Sequence, residues 1–148
     1  MEINQFYIAG KFITPDGKEI IDLINPATEE KVGHVVSGSE KDVNDAVNSA
    51  QHAFTYASSL SLEQKKTILQ EIIDGMDKRR EEFAQVISEE MGAPIKVARG
   101  AQFSSGKVHF INTLKVIDGF SFSEVHDNIT LNKLPVGPVA MITPWNWP

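Results

Sequence analysis

Cysteine is absent from all 148 residues. These residues therefore contain no disulfide framework, no thiolate metal site and no cysteine nucleophile. Charge of one sign is not concentrated either: 14 basic and 20 acidic residues are mixed along the chain, for a net charge of −6. No basic stripe exists to neutralise phosphates, so nucleic-acid binding is not expected. No apolar run approaches the ~20 residues needed to span a bilayer. Met1-Glu2-Ile3-Asn4-Gln5 has neither a basic n-region nor an apolar h-region, and the expectation is a cytoplasmic protein without a membrane span. Neither a GxGxxG turn nor a P-loop occurs; Gly33 and Gly38 merely flank a short strand. His34, His52, His109 and His126 have no metal-ligand spacing, so no metal is expected.

What is present reads as alternating element types. Phe6-Tyr7-Ile8 and Ile20-Ile21-Asp22-Leu23-Ile24 are β-prone, and Pro15-Asp16-Gly17 between them has turn chemistry, which predicts an N-terminal hairpin closed by Asn25-Pro26. A short strand follows near residues 32–36. Ser39 is an N-cap with Asp42 at the third helical position, and Val43, Ala46, Val47, Ala50, Ala53, Phe54 and Ala57 recur at helical spacing. Ser61-Leu62-Glu63-Gln64 is a capping box opening a second helix, whose stripe is Leu62, Leu69, Ile72, Ile73 and Met76. Lys78-Arg79-Arg80-Glu81-Glu82 marks a break. Phe83, Val86, Ile87 and Met91 resume a stripe that stops at Gly92, a C′ glycine.

Pro94 at N1 starts a further helix predicted to bury Val97, Ala98, Ala101, Val108, Ile111 and Leu114 and to end near Gly119. The period then changes. Residues 120–134 read as a hairpin or long strand with His126-Asp127-Asn128 at the turn, and the apolar run 136–142 reads as a buried strand. Glu63, Glu71, Glu81, Glu82, Glu89 and Glu90 lie on helix faces as solvated charges.

Three stretches carry a resemblance. Pro135-Val136-Gly137-Pro138-Val139 followed by Ile142-Thr143-Pro144-Trp145-Asn146-Trp147-Pro148 resembles the segment by which NAD(P)-dependent aldehyde dehydrogenases enter their active site. Ile24-Asn25-Pro26-Ala27-Thr28-Glu29-Glu30 resembles that family's early asparagine-proline turn, and Glu89-Glu90-Met91-Gly92-Ala93-Pro94 its helix-Gly-x-Pro-helix junction. The order of the three is the family's, so the similarity covers essentially the whole chain.

The resemblance implies an α/β fold, the N-terminal part of a Rossmann-like aldehyde dehydrogenase. Residues 1–119 would belong to the cofactor-binding domain, 120–134 to an oligomerisation arm, and 135–148 to the start of the nucleotide-binding sheet and the active-site loop. It implies an enzyme that oxidises an aldehyde to a carboxylic acid with NAD or NADP through a cysteine thioester, acting as a homo-oligomer. Asn146 matches the side-chain amide that donates to the oxyanion, a neutral donor indifferent to pH. Ile142, Thr143, Pro144 and Trp145 match the lining of the nicotinamide-ribose side; Trp147 and, by a rougher alignment, Phe103 match the substrate tunnel. The nucleophile, the glutamate base and the adenine-side grip have no counterpart here. The chain alone is thus expected to be inactive and to bind NAD weakly or not at all. The alternative is a non-catalytic oligomerising or interaction module of the same fold.

Overall fold

The computed structural model describes residues 2–144, 146 and 147. Strands come first: β1 (Glu2–Ile3), β2 (Phe6–Ile8), β3 (Lys11–Ile13), β4 (Ile20–Ile24) and β5 (Lys31–Val36). Helices follow: α1 (Glu40–Ser59), α2 (Leu62–Lys78), α3 (Arg80–Met91), the single turn α4 (Ile95–Val97), a π turn over Ala98–Gln102, and α5 (Phe103–Ile117). A hairpin of β6 (Ser123–His126) and β7 (Ile129–Asn132) is the last regular structure among the described residues.

The N-terminal hairpin is tighter than expected. β2 pairs with β3, not with β4, because Ala9 and Gly10 both adopt left-handed φ, 53° and 76°, and reverse the chain within two residues. β4 pairs antiparallel with β5, which pairs parallel with β1, in the order β1-β5-β4. Pro15-Asp16-Gly17 closes no hairpin. It instead delivers two backbone amides to the start of α1: Asp16 N–H donates to Asp42 Oδ1 at 2.9 Å and Gly17 N–H to Oδ2 at 3.0 Å. The same carboxylate accepts from Ser39 N–H at 2.8 Å and Ser39 Oγ–H at 3.0 Å. Asp42 is therefore both the reciprocal half of a capping box and the anchor of the 15–17 loop, and it is buried.

The helix boundaries follow the capping signals. Ser61 and Gln64 complete the second capping box. Arg79 separates α2 from α3. Gly92 stops α3 in the left-handed region at φ 67°, and a Cβ there would lie 2.7 Å from Ala27 N, so only glycine lets the Asn25-Pro26 turn approach this helix end. Pro94 is one residue earlier than expected, at the N-cap, with extended ψ of 131°. The 120–134 segment is a hairpin, with Asp127 at φ 52° in its turn and His126 opposite Ile129.

Two burial expectations need correction. In the last helix Val97, Ala101 and Val108 are exposed; Ala98 is buried as expected, and Gln102 and Phe103 are buried with it. The π turn is the reason: with five residues per loop, Ala98 and Phe103 fall on one face, a spacing that the 3.6-residue period assigns to different faces. The run 136–142 forms no strand; Val136 is 92% exposed and Ile142 99%. An apolar run becomes a strand only where a neighbouring backbone takes up its hydrogen bonds, and among the described residues none does.

The core is correspondingly small. Buried apolar residues are Ile73, Ala84, Ile87, Ala98 and Phe103, and α1 leaves Val43 and Val47 open to solvent. A compact monomer of this mass exposes about 7,500 Å², against 10909 Å² here. Large apolar side chains contribute to the excess, among them Leu134, Val136, Met141 and Ile142, each more than three-quarters exposed.

Candidate active-site segment

The residues expected to carry chemistry lie in one extended stretch. Residues 133–144 have no regular structure and run out from β7. Part of this stretch passes beside α1: Pro138, Val139, Ala140 and Met141 line one open groove with Val43, Ala46, Val47 and Ala50. The sequence folds this way because Pro135 and Pro138 remove backbone donors and Gly137, at φ 106°, turns the chain where other residues would be strained.

Ile142, Thr143 and Pro144 follow, all exposed and none in a strand or helix. Asn146 sits in a turn and is exposed, and Trp147 is 51% exposed. Trp145 lies outside the described residues. Among the described residues no hydrogen bond engages the Asn146 amide, so its N–H donors are free to be aimed at a ligand. Sequence adjacency alone brings Ile142, Thr143, Pro144, Asn146 and Trp147 together.

Phe103 stands apart. It is 3% exposed, its ring lies 5.9 Å from that of Phe83, and it is flanked by two cations, Arg80 at 5.3 Å and Lys107 at 5.9 Å from its centroid. In this structure it is a core aromatic with charged neighbours.

The titratable groups with displaced values are structural. Asp42 is held far below the usual carboxylate range, chiefly by the amide of Asp16 and then that of Ser39. Glu81 is lowered to about 2, first by its hydrogen bond from Arg99 and next by Gln85. Lys133, then His126, lower Glu124. None of these carboxylates lies on the 142–147 stretch. A depressed folded-state value contributes stability above the unfolded carboxylate value of about 4, and that stability is lost as pH falls below it. The urea midpoint should therefore drop between pH 5 and 2, and Asp42→Asn should flatten that slope as well as lower the midpoint at pH 7. An equal slope in the variant would remove Asp42 from this role.

Sequence reasoning missed Gln102, 6% exposed, whose Nε2 lies 2.9 Å from Met91 Sδ while Oε1 has no partner. The available signal was the five-residue spacing of Ala98 and Phe103. Among the described residues no three His, Cys, Asp or Glu side chains are grouped to hold a metal ion, and no helix is long and apolar enough to cross a membrane.

Comparison with known proteins completes the picture. The chain belongs to the aldehyde dehydrogenase family, whose model matches residues 12–148. It is 33% identical over 145 residues to a putative aldehyde dehydrogenase of Staphylococcus haemolyticus, covering 98% of this chain and 30% of that protein. It is 34% identical over 148 residues to 3-succinoylsemialdehyde-pyridine dehydrogenase of a Pseudomonas species, covering 99% and 31%. Among solved structures, a cysteine-to-alanine variant of aldehyde dehydrogenase C from Pseudomonas syringae, in complex with NAD+ and octanal, superposes with a TM-score of 0.94 at 39% identity. That match covers 98% of this chain and 30% of the other. The chain thus has the fold of the family's N-terminal portion and spans about 30% of the length of the curated relatives it matches. The α/β class expected from the sequence stands; the strand expected at 136–142 and the pairing of the N-terminal hairpin are what differ.

Proposed function

We propose that this chain supplies one wall of the active site of a cytoplasmic, homo-oligomeric aldehyde dehydrogenase, an enzyme that oxidises an aldehyde to a carboxylic acid with NAD(P) through a cysteine thioester. The observation that carries the reading is Asn146: it falls inside the family match, at the end of an extended exposed segment, with its amide uncommitted. An amide at that place can donate to the oxygen that becomes negatively charged when a thiolate adds to a carbonyl. Such a donor lowers the barrier because it is already oriented when the charge forms.

The nicotinamide cofactor would accept hydride. Toward it the chain offers Ile142, Thr143, Pro144 and Trp145 against the ribose side, the positions that match the family's lining there. The fit is limited to this one face, because the 148 residues contain no glycine-rich phosphate turn. Trp147 and Phe103 would line the path of the aldehyde. Trp147, half exposed beside Asn146, suits the role as it stands, whereas Phe103 would have to be uncovered. Lacking any cysteine, these residues alone should not turn over an aldehyde, and with only one face of the cofactor served they should bind NAD weakly.

A chimera tests the reading. Residues 1–148 replacing the matching portion of the Pseudomonas syringae enzyme, with its native cysteine, should restore aldehyde-dependent NAD reduction. A folded chimera without activity would argue against it.

The uncovered apolar surface favours a second reading, in which the chain is a non-catalytic oligomerising module and β6-β7 and residues 136–142 pair with a copy of itself. An unpaired edge invites such association. Size-exclusion chromatography with light scattering tests the second reading: a defined dimer or larger oligomer of the 148-residue chain supports the module, and a clean monomer opposes it.

A further inference from the structure

The π turn packs against α3. In an α-helix the amide of Phe103 would donate to the carbonyl of Arg99, four residues back. Here it reaches five residues back, to Ala98 O, and is shared with Gly100 O three residues back, bypassing Arg99 O. The Arg99 carbonyl is occupied by a side chain instead: Arg80 donates to it from Nη2 at 3.0 Å and from Nε at 3.3 Å. The same two elements are tied in the opposite sense. The Arg99 guanidinium donates to both oxygens of Glu81, at 2.8 and 2.6 Å, a fork geometry that fixes orientation as well as distance. Arg80 also lies over the Phe103 ring.

The π register carries a local cost. It buries the Gln102 amide with Oε1 unpartnered and Nε2 offered only to a thioether sulfur, a weak acceptor. Return to the α register would shift the preceding residues by one position, about 100° of rotation. That would change which of Ala98, Gln102 and Phe103 face the core. Opposed against this relaxation are the arginine contacts just described.

We propose that Arg80 is a positioning residue: by occupying the Arg99 carbonyl it denies that acceptor to Phe103 N–H and so holds the extra residue of the π turn, with the Arg99–Glu81 pair closing the clasp. The arrangement sets where Phe103 and Gln102 sit. Its consequence for an aldehyde path rests on the reading of Phe103 as a tunnel residue, but the register itself does not.

Through-hydrogen-bond scalar couplings in NMR read the register directly. The intact chain should show a coupling from Phe103 N to the carbonyl carbon of Ala98. In Arg80→Met it should move to the carbonyl carbon of Arg99, and Arg80→Lys, which keeps a donor, should retain part of the Ala98 coupling. Where Arg80→Met does not fold, Glu81→Gln serves: it loosens only the second half of the clasp. The Phe103 amide should then exchange with solvent about tenfold faster while that of Ile73 in α2 is unchanged. An Ala98 coupling that persists in folded Arg80→Met, or unaltered Phe103 exchange in Glu81→Gln, would overturn the proposal. The tunnel reading fails separately, if Phe103→Ala in the chimera leaves the KM for long-chain aldehydes unchanged while the register result holds.

Discussion

Asn146→Ala in the chimera with the Pseudomonas syringae enzyme should lower kcat by about 10²–10³-fold, the usual loss when one oxyanion donor is removed. KM should change little. The reason lies in when the interaction forms. The amide is exposed and has no hydrogen bond among the described residues, so its donors gain most when the carbonyl oxygen becomes an anion. An interaction made in the transition state and not in the ground state appears in kcat and in kcat/KM alike. A variant whose KM rises while kcat holds would mean that Asn146 binds substrate and does not stabilise the charge. Asn146→Asp should be at least as damaging, because a carboxylate places negative charge where negative charge develops.

Gly17→Ala should be the most destabilising single-methyl change in the N-terminal half. An added Cβ would lie 2.0 Å from Ser37 O, with Gly38 C and Ser39 N at 3.0 Å. All three are backbone atoms, so no side chain can swing away. The Gly17 amide is also one of the donors to Asp42. Displacing it weakens the loop anchor and the α1 cap together. Overpacking with flexible neighbours costs about 1–3 kcal/mol; here the cost should be about 3 kcal/mol or more, read as a loss of urea midpoint. Gly75→Ala is the natural contrast, since nothing lies within 4 Å of a Cβ there. As a glycine replacement within the last turn of α2 it should stabilise by up to about 0.5–1 kcal/mol. Equal effects at the two positions would contradict the described junction.

The sequence was legible wherever a signal is local. Ser39 with Asp42 and Ser61 with Gln64 mark helix starts because a side chain and an amide three residues away satisfy each other. Gly92 marks a stop because only it takes the left-handed φ cheaply, and the 120–134 hairpin turns where expected. What was not legible depends on partners distant in the chain. Pro15-Asp16-Gly17 has the composition of a turn, but its amides are used by Asp42, which lies 25 residues on from Gly17. The run 136–142 has the apolar continuity of a buried strand, yet a strand needs a neighbour. The π turn escaped because helical periodicity assumes 3.6 residues per turn, and Arg80, on a different helix, breaks that assumption. The candidate site was read from motif order rather than from geometry: Asn146 and its neighbours are contiguous, so their placement together adds nothing that the sequence did not already contain.

The central proposal is that Asn146 is a donor for an oxyanion and that these residues, having no cysteine, lack the thiolate that would create one. Incubating the purified 148-residue chain with octanal and NAD+, following absorbance of the reduced cofactor, and weighing the protein by intact-mass spectrometry tests it most directly. No rise in absorbance and no acyl adduct are expected. Cofactor reduction above background, or a mass increase matching an octanoyl group on any side chain, would contradict it.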